Sequence, residues 1–461
     1  MIPKLRNSTN NTGLRLACVA VLAVLFFAVR SHAQTSETSA DVSGTSIEKL
    51  EEVGDATREE PTIPDEDSDE SKSGYSATND THGGSKTVTA ELIDGDRILD
   101  TLFDVDGVKK LFPDYYQFKK TLNERRGFAY NVDYSVLASG ASFSSNDDKN
   151  AASSVFRIYG AWKVFGESFN SGGSLIFKYE HRGAIAGTQT PRDLGFNTDS
   201  ALSTANYKEN GWGWTDLYGK FFAFNGRLGF LIGHMDPGDW ADQHVLLNAW
   251  TNLLNDAFYN NPAEAIPKRT FSAVAKVALN ENWYLGGGVH DANGKDNHID
   301  FGQVWDTPEL FTWAEFGFKR SSDSAFGEST HLHYWHQDER VEAGVTESWG
   351  LTFSSSYVSD NDISFVTRIG YSEGDAAQMR RFAGIATSIP ARGSDRFLIG
   401  AGWGSPPDKS LRSQTVLELM YRAHVTQNFV VSPDIQVTFN PSFNSLEDVV
   451  YMYGLRFRFT F

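Results

Sequence analysis

Sixteen segments of roughly ten residues, rich in aromatic and β-branched side chains, follow one another from Phe128 to Phe461, separated by Gly, Asn, Asp and Ser. They fall at 128–138, 152–166, 172–182, 211–223, 226–236, 270–279, 282–291, 310–321, 329–337, 346–357, 363–371, 379–388, 395–403, 413–423, 428–438 and 450–461. Many alternate apolar and polar positions, the period of a strand. In "GSLIFKYEHR", Leu175, Phe177 and Tyr179 oppose Lys178, Glu180 and Arg182. In "TVLELMYR", Thr415, Leu417, Leu419 and Tyr421 oppose Glu418 and Arg422, and in "NFVVSPDIQVTFN" Phe429, Val431, Pro433, Ile435, Val437 and Phe439 oppose Ser432, Asp434, Gln436, Thr438 and Asn440. The closing "YMYGLRFRFTF" sets Tyr453, Leu455, Phe457, Phe459 and Phe461 against Gly454, Arg456, Arg458 and Thr460.

Short and long connections alternate in the first half: Asn225-Gly226 signals a tight hairpin, whereas 183–210 and 237–269 are long. A soluble sandwich also alternates, but rarely needs so many long charged strands. An all-β, 16-stranded antiparallel transmembrane β-barrel over 128–461, greasy outside and wet inside, accounts for both faces. Ahead of it, "DRILDTLFDVDGVKKLF" and "PDYYQFKKTLNERRG" predict two short periplasmic helices within 95–127, with Pro113 suited to a helix start and Gly127 to the residue after an end.

Composition removes alternatives. Only 40% of the 461 residues are hydrophobic, and no interior run reaches the length of a membrane-spanning helix. The one long apolar stretch, 16–29, follows Lys4, Arg6 and Arg15 and precedes Ser31 and Ala33, predicting a signal peptide over 1–33 cleaved near Ala33/Gln34. Cys18 lies inside it, so the mature chain has no thiol chemistry. The net charge of −18 argues against a nucleic-acid partner. Fourteen acidic against four basic residues lie in 34–90, predicting a disordered acidic linker across 34–94. A final strand ending in Phe461 looks like the signal read by the barrel-assembly machinery of outer membranes.

From about residue 95 onward the chain resembles the carbohydrate-selective porins of the OprB family. The likeness rests on the helices leading into "RGFAYNVDYS", on "WTDLYGKFFAFNGRLGFLIGHMDPGDWAD", on "LELMYRAHVTQNFVVSPDIQVTFNP" and on "YGLRFRFTF". It implies a barrel in the outer membrane of a Gram-negative-type bacterium, surrounded by lipid and passing mono- or oligosaccharides by diffusion, with no cofactor and no enzyme activity. Homotrimers are common among sixteen-stranded porins, and the resemblance leaves a homo-oligomer open. A general or anion-preferring pore stays open too.

A sugar pore needs forked donors, carboxylates and flat aromatic surfaces at a constriction. The connection 237–269 is the expected constriction: Leu246, Leu247, Trp250, Leu253, Leu254 and Phe258 recur at helical spacing, predicting a helix folded into the bore. Both Trp240 and Trp250 are candidates to touch sugar: Trp250 lies on that apolar stripe and reads first as wall packing and second as a platform, and Trp240, ahead of the stripe, is the better platform candidate. Expected lumen charges are Arg157, Lys163, Lys178, Glu180, Arg182, Glu315, Lys319, Arg368, Glu418, Arg422, Asp434, Arg456 and Arg458, with Asp133 closing the ring beside the last strands. In "HLHYWHQ", His331 and His333 share a face and His336 does not, which fits a lumen pair in water better than a metal site. An alternative of another class, an outer-membrane barrel hydrolase, needs a serine, a base and an acid together; His181, His234 and His290 could each meet a serine, and no spacing singles one out.

Overall fold

The structure, a computed structural model, describes residues 71–73, 83–168, 171–296, 298–320 and 325–461. The expected signal peptide, its cleavage site and most of the acidic stretch lie outside them. Every one of the sixteen predicted segments is a strand: β1 (Phe128–Ala141), β2 (Asn150–Ser168), β3 (Ser171–Ala184), β4 (Gly211–Ala223), β5 (Leu228–Met235), β6 (Thr270–Ala278), β7 (Trp283–Asp291), β8 (Leu310–Phe318), β9 (Ser329–Gln337), β10 (Ser348–Val358), β11 (Ser364–Glu373), β12 (Arg381–Pro390), β13 (Arg396–Ser405), β14 (Gln414–Thr426), β15 (Phe429–Phe439) and β16 (Val449–Thr460). Each pairs antiparallel with its sequence neighbours, and β1 closes on β16 with Asp133 opposite Thr460 and Ala141 opposite Met452. Closure leaves no strand edge unpaired.

The faces follow the predicted alternation. Along β16, Tyr453, Leu455 and Phe461 are exposed outward while Arg456 and Arg458 are buried inside. On β14 and β15, Leu417, Leu419 and Ile435 face out, and Glu418, Asp434 and Gln436 face in. Short turns gather at one end. The β4–β5 turn, 224–227, takes left-handed backbone at Phe224, Asn225 and Gly226 (φ 54°, 55° and 80°), as the Asn-Gly pair foretold. Long loops gather at the other.

Helices depart from the sequence reading. In chain order they are α1 (Val88–Asp96), α2 (Gly107–Leu111), α3 (Tyr115–Arg126), α4 (Pro191–Asn197) and the single turn α5 (Gln303–Asp306). The predicted helix over 96–112 is confined to α2; residues 97–106 run without helix along the short-turn rim, where Leu102 and Phe103 donate to the carbonyls of His424 and Val425. α3 is where it was expected and ends in the left-handed Gly127 (φ 62°). α1 falls in the stretch read as linker up to residue 94, which is therefore not wholly unstructured. Thr87 caps it, accepting from the Ala90 N–H, and Val88 and Leu92 bury against the inside of the barrel with Tyr159, Ile176 and Tyr218. Before and after it, the chain sits at the short-turn end: Ser71 bridges Arg97, and the Lys72 N–H donates to the Asp96 carbonyl.

Candidate functional site

The adjacent strands β2 and β3 place Arg157 and Lys178 on the inner wall, and α1 brings the acid that meets both. Glu91 accepts from Arg157 at 2.7 Å and stands 3.5 Å from Lys178. Arg157 also reaches Asp133 at 3.1 Å, and Arg458 reaches the same carboxylate at 2.5 Å, so Asp133 does sit beside the last strand. Lys178 continues to Asp216 at 3.2 Å and Asp239 at 3.8 Å, and Lys86 to Asp239 at 3.2 Å. Burial pushes the Asp239 carboxyl up to about 8 against the pull of Lys178 and Lys86. Of the residues read from the sequence as lumen-facing, Arg157, Lys178, Asp133 and Arg458 lie on the inner side and are buried. They do not line open water, however: Arg157 is 0% exposed, because α1 and the loop after β5 fill the space in front of it. Nearer the short-turn end Asp94 of α1 is exposed, with Arg422 and Arg458 its leading basic neighbours.

The loop after β5, 236–269, folds inward as expected but is not a helix. Its regular pieces are two single 3-10 turns, Pro237–Asp239 and Asp256–Phe258. The reason lies in where its backbone groups go. Arg456 takes the Ala249 and Asn252 carbonyls at 2.7 and 3.0 Å, and Arg422 takes that of Thr251 at 3.1 Å. Glu418 accepts the N–H groups of Leu254 (2.5 Å) and Asn255 (2.9 Å). Asn248 and Asn255 accept from the N–H two residues on, the local competition that makes asparagine a poor helix interior. The apolar residues spaced like a helix still bury together, with Trp250, Leu253, Leu254 and Phe258 in one cluster.

Two aromatic expectations separate here. Trp250 packs against Tyr207, with Arg157 and Arg182 over its ring at 4.4 and 5.1 Å, in keeping with wall packing. Trp240, read as the platform, is 0% exposed and edge-on to Tyr218, with Gly83 against its ring; no face is left for a solute. A Cβ on Gly84 would fall 1.4 Å from Gln243 Oε1, so that glycine is what lets the chain lie flat on the loop.

Toward the long-loop end a cavity of about 560 Å³ opens, bordered by Arg182, Arg192, Asp236, Tyr259, Glu264 and Arg269 among others. Arg182 and Arg269 both reach Glu180, at 2.6 and 3.5 Å, and Arg269 also reaches Asp296 at 2.9 Å. Arg192 holds Asp256 at 3.1 Å. The loop carrying α4 forms one side, and its start was legible in Thr190 and Pro191, an N-cap and a first-turn proline. Arg192, Asp236, Arg269 and Asp296 were missed because they lie in loops, where alternation gives no face.

His331 and His333 point inward, but into ion pairs and not into water. His331 meets Asp242 at 2.8 Å; His333 meets Glu264 at 2.9 Å and Glu315 at 3.2 Å. Burial works against the Asp242 carboxylate, yet Arg368 at 2.6 Å and His331 hold it well below the usual carboxylate range. His336 lies on the other face beside Glu347. Among the described residues no group of three ligands is set to hold a metal. For the hydrolase alternative, His290 Nδ1 lies 2.7 Å from Ser272 Oγ, while the Trp313 indole donates to His290 Nε2 at 2.8 Å. An indole only donates, so Nε2 is bare and Nδ1 carries the proton, the wrong tautomer to accept one from Ser272. Neither His181, tilted against Trp212, nor His234, on the Trp214 carbonyl, meets a serine in the described contacts.

Residues 346–461 match the family model described as "Carbohydrate-selective porin, OprB family". Among solved structures, the high-pH form of Pseudomonas putida OprB shares the fold with a TM-score of 0.58 at 13% identity, over 76% of this chain and 97% of that one. The low-pH form of the same protein gives 0.45 at 12% identity, over 76% and 98%. A loop-deletion form of OmpT, an outer membrane protein of Vibrio cholerae, gives 0.41 at 8%, over 72% and 99%. No curated protein sequence matches the chain significantly.

Proposed function

We propose that the chain is an outer-membrane porin that passes carbohydrates by diffusion, without an energy source, a cofactor or covalent chemistry. The cavity at the long-loop end carries this reading: its border holds five basic and six acidic side chains, with Tyr259, Asn260 and Asn261 beside them. Forked guanidinium donors opposed to carboxylates suit the paired hydroxyls of a pyranose and give it many weak partners, as flux requires. The near balance of charge speaks against an anion-preferring pore, since neither sign dominates the field a solute meets. The match of residues 346–461 to a carbohydrate-selective family agrees. Within the cavity, Arg182 and Arg269 are the residues we assign to sugar contact, and Glu180, buried behind them, holds both guanidinium groups in place. Arg157, Lys178, Trp250, Glu418, Arg422, Asp434, Arg456 and Arg458 act mainly by holding the inward loop and α1. Phe461 serves recognition by the assembly machinery.

Liposome swelling tests this. Proteoliposomes should swell faster in monosaccharides than in uncharged solutes of equal size that lack hydroxyl pairs, and Arg182→Ala with Arg269→Ala should erase that preference. Equal rates for all solutes of one size make it a general pore.

A further inference from the structure

The short-turn rim carries a second surface that the bore does not use. Between Gly107 and Arg126 there are six basic residues and two acidic ones, in a chain whose net charge is −18. Only Lys119 is turned in, donating to Asn131 at 2.6 Å. Lys109, Lys110, Lys120, Arg125 and Arg126 are exposed. Beside them, Leu111, Phe112 and Phe118 are 75%, 64% and 55% exposed. Arg125 and Arg126 suit the negative end of α3, and Lys109 and Lys110 that of the short α2, but that leaves Lys120 and the three apolar side chains without a reason in the fold. The opposite side of the pair is docked: Val108 and Tyr116 bond Asn428 in the turn between β14 and β15.

Position supplies the partner. Lys119 lies over the rings of both Tyr115 and Tyr130, 5.6 Å from each. Tyr130 belongs to the outward face of β1, since its neighbours Ala129 and Asn131 are buried inside. α3 therefore starts beside the outward face of β1, and Phe118 follows Tyr115 by three residues, on the adjoining side of the helix.

We infer that α2 and α3 form an interfacial anchor on the inner, phospholipid leaflet. Leu111, Phe112 and Phe118 enter the boundary between headgroups and acyl chains, and Lys109, Lys110, Lys120, Arg125 and Arg126 bind anionic phospholipid headgroups. The inference rests on the strands spanning a bilayer and is independent of what passes through the bore.

Depth-dependent quenching tests it on the full chain in vesicles of phosphatidylcholine with 30 mol% phosphatidylglycerol. In a Cys18→Ser background, single cysteines replace Phe112, Phe118, Glu124 or Ile435 and carry a small fluorophore. Labels at 112 and 118 should be quenched by lipids brominated on the upper acyl chain at least half as strongly as the label at 435, and be shielded from aqueous iodide; 124 should behave the opposite way. In the Lys109→Glu, Lys110→Glu, Lys120→Glu variant, lipid quenching at 118 should fall at least twofold, to the level seen without phosphatidylglycerol. If either labelled variant fails to assemble, Leu111→Cys takes its place. Quenching at 435 but iodide access at 112 and 118 overturns the anchor alone; shielding from both quenchers, rising with protein density, makes the surface a contact between copies and also overturns it. Absence of lipid quenching at 435 overturns the membrane reading beneath it.

Discussion

Glu91 of α1 and Arg157 of β2 meet at 2.7 Å with neither side chain open to solvent, an ion pair between a segment outside the barrel sequence and the barrel's inner wall. Taking one partner from a buried pair leaves the other charge stranded, at a cost of about 3–5 kcal/mol. Here the stranded charges are Arg157 and, in part, Lys178, each keeping one acid on the wall, Asp133 and Asp216. That wall pairing lets the barrel survive the loss while α1 does not stay docked. Glu91→Gln should accordingly raise single-channel conductance in planar bilayers toward that of a chain lacking 83–96. Gly84→Ala, which sets a methyl against Gln243, should do the same without altering any charge. Unchanged conductance in both variants means α1 does not narrow the path.

The barrel was legible because lipid and water impose a period of two on every strand; β16 could be assigned face by face from Tyr453 to Phe461. The inward loop was legible only in part. Its apolar residues were found, but their spacing suggested a helix, since nothing local reveals that Arg456 and Glu418, 207 and 163 residues away from the groups they hold, take its backbone groups. α1 was hidden for a similar reason. Its nine residues have little intrinsic amphipathicity, and they fold because the barrel interior offers Glu91 two cations. Buried ion pairs of this kind connect distant segments, and sequence periodicity carries no trace of them.

Arg456 tests the loop itself. Arg456→Met keeps most of the side-chain volume and removes the donors to the Ala249 and Asn252 carbonyls. Two carbonyls left without a charged donor should weaken loop attachment by about 2–4 kcal/mol in total. Hydrogen exchange should show amides of 246–256 exchanging at least tenfold faster, with those of β14–β16 unaffected. Equal exchange in the two proteins means the loop is held elsewhere.

Asp242 gives the loop an acid limit. Its native carboxyl lies well below the ordinary value, so the unfolded chain binds its proton first as pH falls. Stability from this group is complete above about pH 5, starts to decline near the ordinary carboxylate value of about 4, and is gone once pH passes below the native value. The part of loop protection owed to Asp242, read by hydrogen exchange as the difference between the parent and Asp242→Asn, should be constant from pH 8 to 5 and fall below pH 4; it is separate from the stability gained as pH falls from about 8 through the raised Asp239 carboxyl. Asp242→Asn leaves Arg368 without its anion and His331 with only Glu315, 3.7 Å away, so protection should already be low at pH 7 and its decline below pH 4 should be shallower. An Asn variant with the native acid profile removes Asp242 from this role.

Ile435 of β15 separates a bilayer-facing wall from a soluble one. Its side chain is 53% exposed, while its neighbours Asp434 and Gln436 are buried inside. In water an exposed Ile435→Arg is nearly neutral, whereas arginine on the lipid face near the bilayer centre costs about 2–4 kcal/mol. Leu446→Arg, in the connection between β15 and β16 where the side chain is 88% exposed, adds the same charge outside the strands and serves as the control. Denaturant unfolding from phospholipid vesicles should place Ile435→Arg below the parent by that amount and Leu446→Arg close to it, and moving the substitution outward to Phe439, nearer the strand end, should shrink the penalty to about 0–1 kcal/mol. A neutral Ile435→Arg in vesicles denies the outer face its lipid and, with it, the transport reading.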